Sequence, residues 1–473
     1  MQLEITNERN EEMTRAAAIQ SAEQYFDSKA FHADLARRVA IPTESQNPDR
    51  VAELAQYLHD ELGSSLQVLG FVCEVYENAN GKNPFLIATR NEGDALPNVM
   101  MYAHGDVIRG QDAQWREGLS PWRLVEENVR LYGRGTADNK GQHTVNIGAI
   151  KSVLDVRGKL GFNLKILVET GEEMGSPGLN AFCAAHREQL RADVFIASDG
   201  PRLSPDRPTI FLGSRGMMNF DLTVDLRPGA HHSGNWGGLI ADPAIVLAQA
   251  IATITDRHGA IRVPEWRPAE IPASVRTALK DCAPSGGDGA PSIDADWGEP
   301  GLSTAEKLYG WASFSILAMK AGNPDFPVNA IAGIAWARGH LRFVVGTDPR
   351  DIIPALQRHL VREGFPQVII TPARDDVMHA TRLDPDSKWV RWAVESITRT
   401  TGKKPAILPN LGGSLPNEVF ADTLGLPTIW IPHSYSACSQ HAPNEHMLGS
   451  IAREGLAIMA GVFWDLGEGG RIE

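Results

Sequence analysis

The chain has 473 residues, 42% hydrophobic and 22% charged, which is ordinary for a folded globular protein and excludes a disordered one. Length admits either two large domains or three of about 150 residues each. Lys and Arg number 45 and Asp and Glu 58, a formal charge of −13, so nucleic acid and anionic membranes are poor partners while a small anionic substrate is not excluded.

The first 20 residues carry several acids and no apolar core of leader length. No apolar run approaches the roughly 20 residues of a membrane helix. Cys73, Cys183, Cys282 and Cys438 show no CxxC spacing, which suits reduced thiols in a cytoplasmic protein. Residues 30–39 read as a helix, with Phe31, Leu35 and Val39 at spacing four. Short apolar runs at 85–88, 99–102, 164–168 and 194–197 read as strands. Between them, 139–154 is helical through Ile147, Ile150 and Leu154, and Ser176-Pro177 opens a further helix. Strands alternating with helices predict an α/β domain with a largely parallel sheet.

From about Pro208 the pattern changes. Residues 209–226 hold two strand-like runs around Gly213-Ser214-Arg215-Gly216, and 242–257 is helical. A Pro-, Gly- and Asp-rich stretch covers 283–300. Strands are expected at 311–318, 330–345 and 368–370, with a helix from Asp348-Pro349 to about Glu363. This order predicts an inserted two-layer α+β domain, entered through 201–208 and left through 372–379. The last hundred residues return to the first pattern, with a helix at 387–398, a strand at 428–431 and a terminal helix at 448–462.

Polar clusters follow several of these runs. They are His104-Gly105-Asp106, Asp138 within Gly133-Arg134-Gly135-Thr136-Ala137-Asp138-Asn139-Lys140-Gly141, Glu172-Glu173, Asp199, and His441 in Ser439-Gln440-His441-Ala442-Pro443-Asn444-Glu445. Taken singly, each suits a helix cap, a turn or a solvated surface. Gathered at one edge of one sheet, two His and three or four carboxylates suit zinc, cobalt or manganese. The clusters contain no Cys, which argues against a structural zinc site. A carboxylate-rich set fits two metals sharing a bridging Asp. With Glu173 as a ligand, Glu172 would stay free to take a proton. Asp106, two residues from His104, would orient that imidazole.

In this order the residues resemble the dinuclear-zinc peptidases and amidohydrolases, the family of carboxypeptidase G, acetylornithine deacetylase, succinyl-diaminopimelate desuccinylase and the carnosinase-type dipeptidases. The likeness runs from about residue 31 to 466 and rests on His-x-Asp, Gly-Arg-Gly-x-x-Asp-x-Lys-Gly, Glu-Glu-x-Gly-Ser, a later Asp and His-x-x-Asn-Glu. It implies a zinc-peptidase-like three-layer α/β catalytic domain over 1–207 and 373–473. The insert at 208–372 would be an α+β, ferredoxin-like lid and dimerisation domain. His104 and Asp199 would hold one metal, Glu173 and His441 the other, and Asp138 would bridge them. The ions would be two divalent cations, zinc first, with cobalt or manganese as alternatives. Hydrolysis of an amide bond in a small carboxylate-bearing substrate, a dipeptide or N-acyl amino acid, would use a metal-bridging water activated by Glu172. Asp106 would support His104.

His231-His232-Ser233-Gly234 resembles the segment whose His, here His232, reaches the partner's active site in dimeric members, which implies a homodimer. Arg342, in His340-Leu341-Arg342-Phe343-Val344, resembles a carboxylate-binding Arg, and Gly412-Gly413-Ser414 resembles a substrate-contacting loop. The chain departs from the family at Ile108-Arg109-Gly110, where many members continue towards a Pro, so Arg109 is expected near the site mouth. Trp115, Trp122 and Trp236 lie in or near the motifs and would pack in the core or line an aromatic pocket. The alternative substrates are aromatic amides or carbamates. The alternative class is a non-catalytic ligand-binding member of the same fold, although no ligand or base is missing from the sequence.

Overall fold

The computed structural model describes residues 13–79, 81–284, 291–373 and 377–468. Residues 1–12 and parts of 283–300 and 372–379 lie outside the described residues. Among these no helix is long and apolar enough to cross a membrane.

The chain opens with helices α1 (Arg15–Asp27) and α2 (Ala30–Val39). Thr14 caps α1 by accepting from the Ala17 N–H. Strands β1 (Val72–Tyr76), β2 (Phe85–Arg90) and β3 (Asn98–His104) follow. A hairpin, β4 (Val125–Glu127) and β5 (Arg130–Tyr132), precedes helix α3 (Lys140–Arg157). Then come β6 (Asn163–Glu169), the short helix α4 (Leu179–Ala185) and β7 (Val194–Ala197). Strand β6 pairs parallel to β3, and β3 pairs parallel to β7, so the three strands end at one edge of the sheet. Along β3 the pleat sends Val99, Met101 and Ala103 into one apolar core and Met100 and Tyr102 into another. That two-faced burial explains why these strands read as continuous apolar runs rather than alternating ones.

Strand β8 (Thr209–Phe211) lies inside the range expected for the insert, yet it belongs to the large sheet. Its Ile210 and Phe211 fill the two cores of that sheet. The chain passes from the large sheet to the small one over residues 212–216. Gly213 is required there: a Cβ would stand 2.0 Å from the Thr381 carbonyl oxygen on the returning chain.

The smaller sheet is built next. Strand β9 (Gly216–Asp225) is followed by α5 (Pro243–Ile254), α6 (Ala273–Leu279) and α7 (Thr304–Tyr309). Strands β10 (Ser313–Ala321) and β11 (Ile334–Phe343), helix α8 (Ile352–Arg362) and β12 (Ile369–Pro372) complete it. The sheet order β10-β11-β9-β12 is antiparallel throughout. With α5 and α8 it forms the split β-α-β unit expected of a ferredoxin-like α+β insert. Met218, Phe220, Leu222 and Val224 alternate onto one face, which packs on Leu247, Ala250, Leu356 and Leu360. Helices α6 and α7 do not join this core. Their Val275, Leu279, Ala305 and Tyr309 cover the second face of the large sheet together with α4.

The chain returns through α9 (Lys388–Thr401), β13 (Ala406–Leu408), β14 (Thr428–Trp430), β15 (His446–Leu448) and α10 (Gly449–Gly467). The large sheet is complete in the order β1-β2-β6-β3-β7-β14-β8-β13. Helices α1, α2, α3, α9 and α10 cover one face and α4, α6 and α7 the other, giving three layers.

Candidate active site

The parallel neighbours β6, β3 and β7 deliver their following residues to one place beyond the sheet, where such folds collect ligand groups. His104 ends β3, Glu172 and Glu173 follow β6 in a single turn, and Asp199 follows β7 by two residues. Asp138 precedes α3, and the Asp138–Asn139 peptide is cis. His441 arrives from the loop between β14 and β15. Ser439, His441 and Asn444 of that loop all take left-handed backbone, with φ of +57°, +61° and +64°. Such concentrated positive φ in non-glycine residues is held only where surroundings enforce it.

Two groups of candidate ligand atoms result, each spanning less than 4.8 Å: His104, Asp138 and Asp199, and Asp138, Glu173 and His441. His104 Nε2 stands 2.9 Å from Asp138 Oδ1 and 3.5 Å from Asp199 Oδ2. His441 Nε2 stands 3.1 Å from Asp138 Oδ2 and 3.0 Å from Glu173 Oε2. Asp138 thus offers one oxygen to each group. Asp199 Oδ1 accepts from the Gly200 N–H, while its Oδ2 is buried without a hydrogen-bond partner. A buried carboxylate oxygen left unpaired is costly, and a cation between it and His104 removes that cost. The donor set of imidazole and carboxylate suits a divalent transition metal at each position.

The electrostatics agree with this fit. Burial alone would raise the Asp138 carboxyl, but His104 and His441 outweigh it and hold it well below the usual range. Glu172 is pushed up by removal from water and by the charges of Glu173, Asp199 and Asp138. Burial and Asp138 push Glu173 up to about 7. The site therefore concentrates more negative charge than its own histidines neutralise.

Asp106 lies buried beneath this cluster. Its Oδ1 is 3.4 Å from His104 Nδ1. The same carboxylate accepts from the Glu172 and Glu173 backbone N–H groups at 3.2 and 3.1 Å, fixing the turn that presents both acids. Sequence reading missed two further residues. Glu445 is buried and pairs with Arg134 at 2.8 Å, while its Oε1 accepts from the N–H groups of Gly135, Ala137 and Asp138. It moulds the loop that carries Asp138, and the β5–β15 pairing brings the two segments together. Gln440 donates to Asp138 Oδ2 at 2.5 Å. Lys140, next to Asp138 in the motif, points away and donates to the Arg38 and Ile41 carbonyls, tying α3 to the end of α2.

A cavity of about 570 Å³ adjoins the cluster. Asp138, Glu172, Glu173, Asp199 and His441 line it, and so do Arg342, Gly413 and Ser414. Its walls thus come from both sheets. Arg342 Nη1 donates to Ser414 Oγ at 3.0 Å. Other predicted residues lie elsewhere. Arg109 is exposed and donates to the Gln46 carbonyl, and the Gln46 amide in turn donates to the Glu173 carbonyl. Arg109 does not line the cavity, and the N–H of the next residue, Gly110, is held by Glu44. His232 is exposed and also absent from the cavity of its own chain; its Nδ1 accepts from the Gly234 N–H. Trp115, Trp122 and Trp236 form no aromatic pocket there. Trp115 is buried against Arg134, and Trp236 is 47% exposed.

Residues 100–465 match Peptidase family M20/M25/M40. A cysteinylglycine-S-conjugate dipeptidase of Corynebacterium striatum is 36% identical over 169 residues, 35% of this chain and 36% of that protein. A beta-Ala-His dipeptidase of Rattus norvegicus is 32% identical over 185 residues, 38% and 37% of the two chains. These two matches span little more than a third of the relatives' lengths. A Cys-Gly metallodipeptidase of Schizosaccharomyces pombe is 29% identical over 457 residues, 88% of this chain and 91% of that one. Among solved structures, the M20 metallo-carboxypeptidase Sso-CP2 of Sulfolobus solfataricus superposes with a TM-score of 0.76 at 24% identity, covering 93% and 99% of the chains. Human carnosine dipeptidase 1 superposes at 0.75 and 22%, covering 95% and 99%, so the fold is shared. With the family match covering most of the chain, this protein belongs to peptidase family M20/M25/M40.

Proposed function

We propose that this protein hydrolyses the peptide bond of dipeptides, or the amide bond of N-acyl amino acids, that carry a free carboxylate. The observation that carries the reading is one cavity lined both by the two imidazole–carboxylate groups sharing Asp138 and by Arg342. The relatives named as Cys-Gly and beta-Ala-His dipeptidases support a dipeptide.

In this reading His104 and Asp199 would hold one divalent cation and Glu173 and His441 a second, with Asp138 common to the two groups. Zinc suits the donors best, with cobalt or manganese as alternatives. When bound, the cations supply a Lewis acid for the scissile carbonyl and acidify water. Arg342, Ser414 and the Gly413 backbone bind the substrate carboxylate and so fix the scissile bond near Glu172. Glu172 takes the proton of the attacking water and delivers it to the leaving amine. Asp106 holds His104 and the Glu172 turn.

We read the two sheets as two domains, the large one catalytic and the small one a lid that also dimerises. Exposed Leu317, Met319, Trp236, Leu239, Phe326 and Val328 support a covered face on the small domain, and among the described residues β10 is the outer strand of its sheet. His232 then acts in the partner's cavity. Four free thiols, three of them buried, suit the cytoplasm.

The test is hydrolysis of Cys-Gly, β-Ala-His and N-acetyl amino acids by protein loaded with zinc, cobalt or manganese. Activity abolished by a chelator and restored by the metal is expected. Cleavage of none of these, with two ions bound, overturns the substrate class. For His232, mixing inactive Glu172→Gln and His232→Ala subunits should restore about a quarter of wild-type activity, because one cavity of each mixed dimer is intact. Mixtures no more active than their parents would place His232 outside catalysis across subunits.

A further inference from the structure

Arg215 sits at the crossing between the sheets and is only 4% exposed. All but one of its hydrogen bonds run to one loop. The Arg215 N–H donates to the Leu411 carbonyl at 3.2 Å. Its Nε and Nη2 both donate to the Gly412 carbonyl, at 2.9 and 2.7 Å. Its own carbonyl accepts from Ser414 Oγ at 2.7 Å. The remaining arm, Nη1, donates to Ser313 Oγ at 3.2 Å.

Both ends of this network meet Arg342. Ser414 Oγ is the atom that accepts from Arg342 Nη1. Ser313 is the register partner of Arg342 across β10 and β11, and Met217, two residues past Arg215, is its partner on β9. Among the described residues, no carboxylate is within ion-pair distance of either guanidinium. Burial and the Arg342 charge push Arg215 down to about 9, and burial alone lowers Arg342. Two neighbouring cations without an acid form an environment that an anion relieves.

We propose that Arg215 is a positioning residue for the substrate carboxylate: it clamps the 411–414 loop and Ser313 around Arg342 and supplies the second positive charge behind it. This rests on the reading of Arg342 as the carboxylate-binding residue. A lysine cannot replace the clamp, because one ammonium cannot reproduce the fork that grips Gly412 while a third bond reaches Ser313.

The test compares acid and amide. Whichever of Cys-Gly and β-Ala-His the metal-loaded enzyme cleaves faster is assayed beside its C-terminal amide, in wild type, Arg215→Met, Arg215→Lys and Arg342→Met. Arg215→Met should raise KM for the acid about tenfold and lower the acid-to-amide ratio of kcat/KM by a similar factor, with Arg215→Lys in between. General structural damage lowers both substrates together and leaves the ratio intact, so an unchanged ratio in Arg215→Met overturns the proposal. If Arg215→Met does not fold, Arg215→Lys decides by the same ratio. A shifted ratio in Arg342→Met with none in the Arg215 variants sinks the role of Arg215 alone. No acid preference in wild type, or none lost in Arg342→Met, removes the carboxylate reading and this inference with it.

Discussion

Replacing Glu172 with Gln should lower kcat by about 10³-fold while KM and the content of two metal ions stay at wild-type values. The substitution keeps the shape of the side chain and removes only its ability to accept a proton. Glu172 lines the cavity yet belongs to neither ligand group. Its backbone N–H, like that of Glu173, is held by Asp106, so the turn is retained when the side chain changes. Removal from water and three neighbouring acids push its carboxyl up, which makes it a stronger base than an ordinary glutamate once it ionises. Bound cations would offset part of that effect by neutralising Glu173, Asp138 and Asp199. Single-turnover kinetics and metal analysis check this. Wild-type turnover in Glu172→Gln would remove the general base from the mechanism, and a variant that loses metal as well as rate would make Glu172 a ligand.

Three of the candidate ligands were legible in the sequence because His104 ends one buried strand and Glu173 and Asp199 closely follow two others. An apolar run followed by a polar residue is a local signal, and parallel neighbours carry such residues to one edge without further information. Apart from Asp106, the second rank of the site has little local signal. Glu445 meets Gly135 across 310 residues, and Gln440 meets Asp138 across 302. Nothing in their own neighbourhoods marks them, although Glu445 closes the His-x-x-Asn-Glu motif. Arg215 was visible only as part of a turn, since its meaning lies in Gly412 and Ser414 far along the chain. Arg109 is close to His104 in sequence, yet its guanidinium is held by the Gln46 carbonyl and does not line the cavity.

The fold shows the same division. Helix α1 was missed because its buried positions are Ala18 and Ala22, which make no large apolar stripe. Helices α6 and α7 have seven and six residues, too short for periodicity to declare them. Strand β8 was found, but three residues carry no sign of which sheet they join. The insert's range consequently holds two kinds of chain. Part builds the small sheet, and part, α6 and α7, roofs the large one. That roof places Leu308 and Tyr309 in the cavity wall, so residues of the 212–372 range line the cavity both from the small sheet and from the cover of the large one.

Asp138→Asn should lose both metal ions together, because Asp138 is the one residue common to the two ligand groups. Each imidazole lies within hydrogen-bond distance of a different Asp138 oxygen, and an amide offers one weakly basic oxygen and a nitrogen that cannot ligate in their place. Affinity at each position should fall by more than about 100-fold, since changes one step further from a metal already cost about 10- to 100-fold. Asp199→Ala and His441→Ala should each weaken one position and leave the other, so metal stoichiometry separates a bridge from two independent sites. The polypeptide itself should remain folded. The loop before α3 is held by Glu445 through the Gly135, Ala137 and Asp138 N–H groups, and the Asp138 side chain takes no part in those bonds. Adding metal at 100 times its dissociation constant stabilises the wild type by about 2.7 kcal/mol per site, read as a rise in Tm. That rise should vanish in Asp138→Asn and persist in part in the two single-site variants. Retention of one tightly bound ion by Asp138→Asn would show that the groups do not share this carboxylate in solution, and the two-cation mechanism would need a different bridge.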